Sequence, residues 1–342
     1  MIPKMTLRRR IGFRAAAVLL PILGLTLLAE VVLKTWFPND RADSAQVYRY
    51  DEVLGVCPKV NLRFSDSTDH YREMFSNAKG TMNLRESFAD YEHLVFAIGD
   101  SYTQGTGVGF DTSYPFQLDL RLNLDTNGYR KHYGVVNLGL AAYGTRQAVL
   151  TAKRFAGDMG DPDYLLYLAA PNDVADDRLF SSGYRHRHRV EGNPNHLIPA
   201  SWVHWISKTE LGFRLKRVIF TLRIQSAKAP TGNDQTPELA SPSWAELQSE
   251  HLSELKRLAG ELDAMLIVGF AATGSDYDSL RRWALEENVR FADWLPRVES
   301  VLAENPELPI RNTHSGGHFR PWVYRQMAEA FARSIESLGL EP

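Results

Sequence analysis

Apolar residues along this chain fall into runs that repeat at a steady spacing. "HLVFAIGD" (93–100), "YGVVNLGL" (133–140), "DYLLYLAA" (163–170) and "AMLIVGF" (264–270) are each short, nearly continuous in apolar side chains and closed by polar or glycine residues. That pattern predicts strands buried on both faces. "NVRFAD" (288–293) predicts a shorter fifth strand. Between them lie stretches of helical periodicity: 114–127, stopped by Asn127-Gly128; about 145–156, with Thr145 as the cap; 243–262, opened by the capping-box pair Ser243 and Glu246; 275–287; and a last helix from Pro321 to before Gly339. Strands alternating with helices predict an α/β protein in three layers, α/β/α and flavodoxin-like. The sheet is expected to be mainly parallel and five-stranded.

In such sheets ligands bind beyond the carboxyl ends of the strands. Gly99-Asp100-Ser101, the loop after Gly139 and Pro171-Asn172-Asp173 should therefore share one rim. Residues 34–90 are polar and mixed, and are expected to form small β elements leading into the first strong strand. Residues 178–240 interrupt the rhythm and read as an insertion with some helix.

The first forty residues differ from the rest. Lys4, Arg8, Arg9, Arg10 and Arg14 precede "AAAVLLPILGLTLLAEVVL" (15–33). As a helix this run spans roughly 28 Å, the thickness of a bilayer core. Glu30 stands near its far end, and the basic flank (1–14) should stay cytoplasmic. A single-pass inner-membrane anchor at 15–33 is expected, with the body at 91–340 extracytoplasmic, or periplasmic. The rival is a cleaved signal peptide, but its apolar region is usually shorter, and Leu27-Leu28-Ala29 is a poor cleavage site.

Composition narrows the chemistry. The 342 residues are 44% hydrophobic and 23% charged, with a net charge of −2, which gives no general reason to expect nucleic acid as a partner. The single cysteine, Cys57, excludes an internal disulfide and a multi-thiolate metal site, and reads as a small buried hydrophobe. The "RHRHR" run at 185–189 reads as a solvated basic loop, since interleaved arginines repel a cation. "FRLKRVIFTLR" (213–223) is basic and amphipathic, suited to packing on the body or to a membrane surface. No P-loop and no G-x-S-x-G elbow occurs, and the two S-x-x-K matches, at Ser76 and Ser253, are chance-level. No cofactor and no metal is expected.

A serine nucleophile needs a base within hydrogen-bond reach and donors aimed at the oxyanion. The rim offers Ser101 after strand one, backbone N–H groups after strand two and the Asn172 amide after strand three. His318, just ahead of the last helix, is the candidate base. "AIGDSYTQGTGV", "VVNLGLAAYGT", "LAAPNDVADD" and "GGHFRPWVYRQMAEAF" resemble, in order, the four blocks of SGNH/GDSL hydrolases. "SNAKGTMNLRE" resembles the lead-in of membrane-anchored bacterial members. The resemblance covers about residues 46–338 and is much weaker in the insertion.

The resemblance implies Ser101 as nucleophile and backbone oxyanion donor, Asn172 as side-chain oxyanion donor and His318 as general base. The second-block glycine falls on Ala142, which can serve through its N–H but is strained if the position needs a positive φ. The family's acid, two or three residues before the histidine, is replaced by Gly316 and Ser315. A Ser-His dyad oriented by a carbonyl, a carboxylate from elsewhere and a weakened site all remain open. Asp100 and Asp173 are read as bracing acids and Ser315 as a supporting residue. Asp176 and Asp177 are read as solvated, and Asp293 as structural.

The function implied is an esterase acting on acyl groups, acetyl above all, carried by carbohydrate. Alternatives are an O-acyltransferase using the same site, a lipid esterase, and a catalytically impaired polysaccharide-binding module.

Overall fold

The computed structural model describes residues 7–36, 47–66, 71–125, 128–183, 209–212, 214, 242–313 and 317–337. The chain divides into two units, 1–41 with 192–237 and 42–191 with 238–342.

In the first unit α1 (Leu7–Trp36) runs for 30 residues, about 45 Å of helix, and its apolar part, Ala16–Trp36, is unburied and long enough to cross a membrane. Its one acid has a local role. The Glu30 carboxylate accepts hydrogen bonds from the backbone N–H groups of Glu210 (2.7 Å) and Leu211 (3.0 Å), at the start of a helical turn at 210–212. The "RHRHR" run and nearly all of 213–223 also lie outside them.

The second unit opens with two hairpins, β1 (Tyr48–Asp51) with β2 (Gly55–Pro58), and β3 (Arg63–Asp66) with β4 (Arg72–Phe75). These are the small β elements expected of the lead-in. Cys57 is buried in β2, and Arg154 pairs with Asp51 beside it through both nitrogens. The α/β body follows: β5 (His93–Gly99), the helical turn α2 (Ser101–Gln104), α3 (Tyr114–Asn123), a small hairpin of β6 (Leu124–Asp125) and β7 (Gly128–Tyr129), then β8 (Tyr133–Asn137), α4 (Thr145–Met159), β9 (Tyr164–Ala169) and α5 (Asp173–Ser181). After the insertion come α6 (Trp244–Leu247), α7 (Ser249–Glu261), β10 (Met265–Phe270), α8 (Ser275–Glu286), β11 (Arg290–Phe291), α9 (Leu295–Glu304) and α10 (Pro321–Glu336).

The sheet order is β8-β5-β9-β10-β11, with every neighbour parallel. This is the five-stranded parallel α/β sheet the apolar runs predict. Residues 95–98 of β5 and 165–169 of β9 are fully buried because helices cover both faces. Helix α3 packs on α10, while α4 packs on α7, and α8 lies on β10 and β11. Numbered along the chain, the strands run 2-1-3-4-5, so the crossover direction reverses at β5, the point where sheets of this topology bind ligands beyond their strand ends.

Several boundaries differ from expectation. Helix α3 ends at Asn123, not 127, because the Asn123 side chain bonds the backbone N–H and C=O of Tyr133 and the next residues turn into a hairpin. The predicted 243–262 helix breaks at Gln248, although Ser243 and Glu246 do form the capping box. Thr145 does not cap α4. Its hydroxyl pairs with Tyr167, and the helix start is capped by Asp177, whose carboxylate accepts from the Thr145 and Arg146 N–H groups at 3.0 Å each. Helices α5 and α9 were not anticipated; α5 runs into the stretch read as insertion.

Candidate active site

Gly99 ends β5 with a φ of 147°, and a Cβ there would stand 2.4 Å from Thr103 Oγ1 and 2.6 Å from Leu168 O. Only glycine lets the chain leave the sheet this closely. Asp100 follows as the cap of α2, its Oδ1 accepting from Tyr102 N at 2.8 Å. Ser101 is thereby held at the strand edge, and its Oγ lies 2.7 Å from His318 Nε2 across 217 residues of chain. Asp100 Oδ2 is the second acceptor near that hydroxyl, at 3.2 Å. A serine has one hydroxyl hydrogen, and the shorter contact is to the imidazole.

His318 is positioned by its own loop. Asn312 takes a 2.7 Å bond from its N–H to the His318 carbonyl, and its side chain bonds Gly107 O and Phe319 O, which ties the loop before α10 to the loop after α2. The Tyr102 ring packs on the imidazole with centroids 4.7 Å apart. Arg311 lies over Phe319 at 4.5 Å and reaches toward the Tyr102 hydroxyl at 3.5 Å. Ser315 and Gly316, with His314, lie outside the described residues.

The loop after β8 is pinned on both sides of Ala142. Leu140 N bonds Gly99 O, Ala141 N bonds Gln104 Oε1 at 2.9 Å, and the Tyr143 hydroxyl bonds Val56 O at 2.6 Å. Gly139 has no room for a side chain, since a Cβ would meet Gln104 N at 2.5 Å. Ala142 itself adopts a φ of 67°, a region that alanine enters at a cost. Among the described residues neither its N–H nor that of Ser101 has a hydrogen-bond partner.

Asn172 starts α5 beyond β9, whose end is fixed by the Trp244 indole donating to Ala170 O. Its side-chain nitrogen donates to Asp100 Oδ2 at 3.2 Å and to Asp176 Oδ2 at 2.7 Å. Beneath it Asp173 Oδ2 accepts from Ala170 N and from the Tyr167 hydroxyl at 2.6 Å, which braces the loop. The structure thus brings Ser101, His318, Asp100 and Asn172 into one bonded group, with Asp173 below it.

Burial pushes the Asp100 carboxyl up to about 6; the bonds from Tyr102, Asn172 and Ser101 oppose this, and the Asp176 charge adds to it. Burial and the neighbouring Asp100 charge push Asp173 well above the usual carboxylate range. Asp177 is not solvated, as its polar neighbours suggested. It is buried under the start of α4, and burial raises its carboxyl against the pull of His251, 4.0 Å away. Asp176 is half-buried and bonded rather than solvated. Its signal was present in the sequence: four residues on from Asn172, it shares the same helix face. Tyr102 and Arg311 carried no such signal. Asp293 is structural, accepting from Tyr277 and pairing with Arg281.

Cavities of about 80 and 190 Å³ lie elsewhere, the first beside Met82 and Phe116, the second beside Cys57 and Arg154; neither is lined by Ser101 or His318. Among the described residues no three His, Cys, Asp or Glu side chains are grouped to hold a metal ion.

No family model matches the chain, and no curated protein matches it. Solved structures are similar at a distance. A G-D-S-L-family lipolytic protein from Desulfitobacterium hafniense DCB-2 is 15% identical, with a TM-score of 0.39 over 71% of this chain and 99% of that one. One from Veillonella parvula DSM 2008 is 12% identical, with a TM-score of 0.39 over 72% and 99%. A GDSL-like lipase from Parabacteroides merdae ATCC 43184 is 14% identical, with a TM-score of 0.38 over 73% and 97%.

Proposed function

We propose that the protein is a serine esterase of the SGNH type, held at a membrane by α1, with its α/β body on the extracytoplasmic side. The observation that carries this reading is the 2.7 Å approach of Ser101 Oγ to His318 Nε2 at the strand end where the sheet reverses direction.

Ser101 Oγ attacks the ester carbonyl carbon while His318 Nε2 takes its proton. The carbonyl oxygen becomes an oxyanion, held by the N–H groups of Ser101 and Ala142 and by the Asn172 amide. Collapse breaks the bond to the leaving alkoxide, which receives the proton from His318. Water, deprotonated by the same imidazole, then attacks the acyl-Ser101 ester and releases the acid. Asp100 orients both Ser101 and Asn172. The substrate class is a short acyl ester, acetyl on a carbohydrate, following the motif resemblance. With a sugar hydroxyl in place of water, the same steps give an O-acyltransferase.

The strained Ala142 favours a second reading, an impaired binding module. A fluorophosphonate probe separates the two. Stoichiometric adduct on Ser101 of the full chain in detergent, absent in Ser101→Ala and reduced at least 10³-fold in rate in His318→Ala, is the expected result. Folded wild-type protein that forms no adduct would end the esterase reading.

A further inference from the structure

An amide –NH₂ has two hydrogens. Among the described residues both polar neighbours of the Asn172 nitrogen are carboxylates, Asp100 at 3.2 Å and Asp176 at 2.7 Å, and carboxylates only accept. That fixes which end of the amide faces them, and it commits both hydrogens. An oxyanion donor needs one of the two free. Asp100 cannot give way easily: it is 1% exposed, caps α2 through Tyr102 N and also borders the Ser101 hydroxyl. Asp176 is half-buried, one turn along α5, and makes the shorter contact.

We propose that Asp176 is a positioning residue that occupies the outer hydrogen of the Asn172 amide in the free protein, and that an acyl substrate must displace this carboxylate to use the oxyanion donor. The inference rests on the serine esterase reading. Asp176 aligns the amide before substrate arrives, with an anionic oxygen standing where the reaction later develops one. The arrangement therefore resists bare activation: the side chain that pre-sets the donor also competes for it. It also disfavours substrates with a negative charge next to the scissile carbonyl, because that charge would approach a carboxylate still close by.

The test uses the full-length chain in detergent, with p-nitrophenyl acetate and an uncharged fluorophosphonate as probes. Asp176→Ala is expected to raise kcat/KM and the labelling rate by about tenfold, a fraction of the 10²–10³ that a whole oxyanion donor contributes. Asp176→Asn keeps the size, removes the charge, and should give a smaller gain. In an Asn172→Ala background the Asp176→Ala gain should vanish, which a merely structural role on α5 would not produce. Wild-type protein that labels while Asp176→Ala labels at the same rate or slower overturns the proposal and leaves the esterase reading standing. If no folded variant labels, wild type included, both fall.

Discussion

Ala142→Gly tests the strain in the loop after β8. An alanine with a φ of 67° pays roughly 1–2 kcal/mol for the contact between its Cβ and the following carbonyl. Glycine removes that contact but gains freedom in the unfolded chain, which returns about 0.4–1 kcal/mol. The net expectation is a stabilisation of about 0.5–1 kcal/mol. For a body of this size that corresponds to a rise in Tm of about 1–3 °C. Both neighbours of Ala142 are anchored, through Gln104 and Val56, so the loop cannot relax by changing φ, and the strain stays local. The contribution proposed for this position is an N–H, which glycine keeps, so labelling of Ser101 should change by less than about twofold. Urea and thermal unfolding of the two full-length proteins, followed by tryptophan fluorescence, measure the first quantity. The adduct rate measures the second. A glycine variant that melts below wild type would refute the strain argument, and one that melts higher but labels tenfold slower would show that the methyl group shapes the site. Ala142→Val gives the opposite check, since a β-branched side chain fits a positive φ worse and should lower Tm.

Asp100→Asn should slow labelling by about 10²-fold, because an amide offers a donor where the Asn172 amide needs an acceptor. The same variant reads the buried charge. The Asp100 carboxyl is raised from 3.8 to about 6 in the folded state, so between those values the native protein holds more protons than the unfolded one and wild-type stability falls as pH rises through the window. Asn cannot titrate, so its stability relative to wild type should improve by about 2 kcal/mol from pH 4 to pH 7 in urea titrations; a flat difference would show that Asp100 is not desolvated. Intact mass of the membrane-fraction chain should include residues 1–33, and a mature chain beginning after Ala29 would replace the anchor by a cleaved signal.

The four long strands were legible because their inner residues are buried on both faces, and a run such as 165–169 is apolar apart from the Tyr167 hydroxyl. Once the four long runs are in order, the rule for strand ends puts Ser101 and Asn172 on one rim without further information. The pieces that were not legible owe their state to distant neighbours. Asp177 stands in a polar run, and only the N-terminus of α4, thirty residues upstream, turns it from a solvated acid into a buried cap. Asn123 ends α3 early through Tyr133, ten positions on. Helix α9 begins Leu295-Pro296, which reads as a loop unless the proline is taken as a first-turn residue. The φ of Ala142 has no sequence signature at all beyond the glycine expected there.

The bonded group around Ser101 also explains why its parts should not be weighed one at a time. Asp100 accepts from the Tyr102 N–H on one oxygen, and its other oxygen meets the Ser101 hydroxyl and one hydrogen of the Asn172 amide. Asn172 in turn links that acid to Asp176. Charge on Asp100 is costly at its depth, yet the charged form accepts from Tyr102 on one oxygen and from Asn172 on the other. The desolvation penalty is therefore tied to the alignment of hydroxyl and amide in a single protonation state. Protonating Asp100 below about pH 6 removes the charge that holds the Asn172 amide, and the amide loses an acceptor fixed by the α2 cap. For this reason the effects of Asp100→Asn and Asn172→Ala on the adduct rate should combine to much less than their product: once either is gone, the other has little left to align. Independent, multiplying effects would mean that Asp100 acts on Ser101 alone.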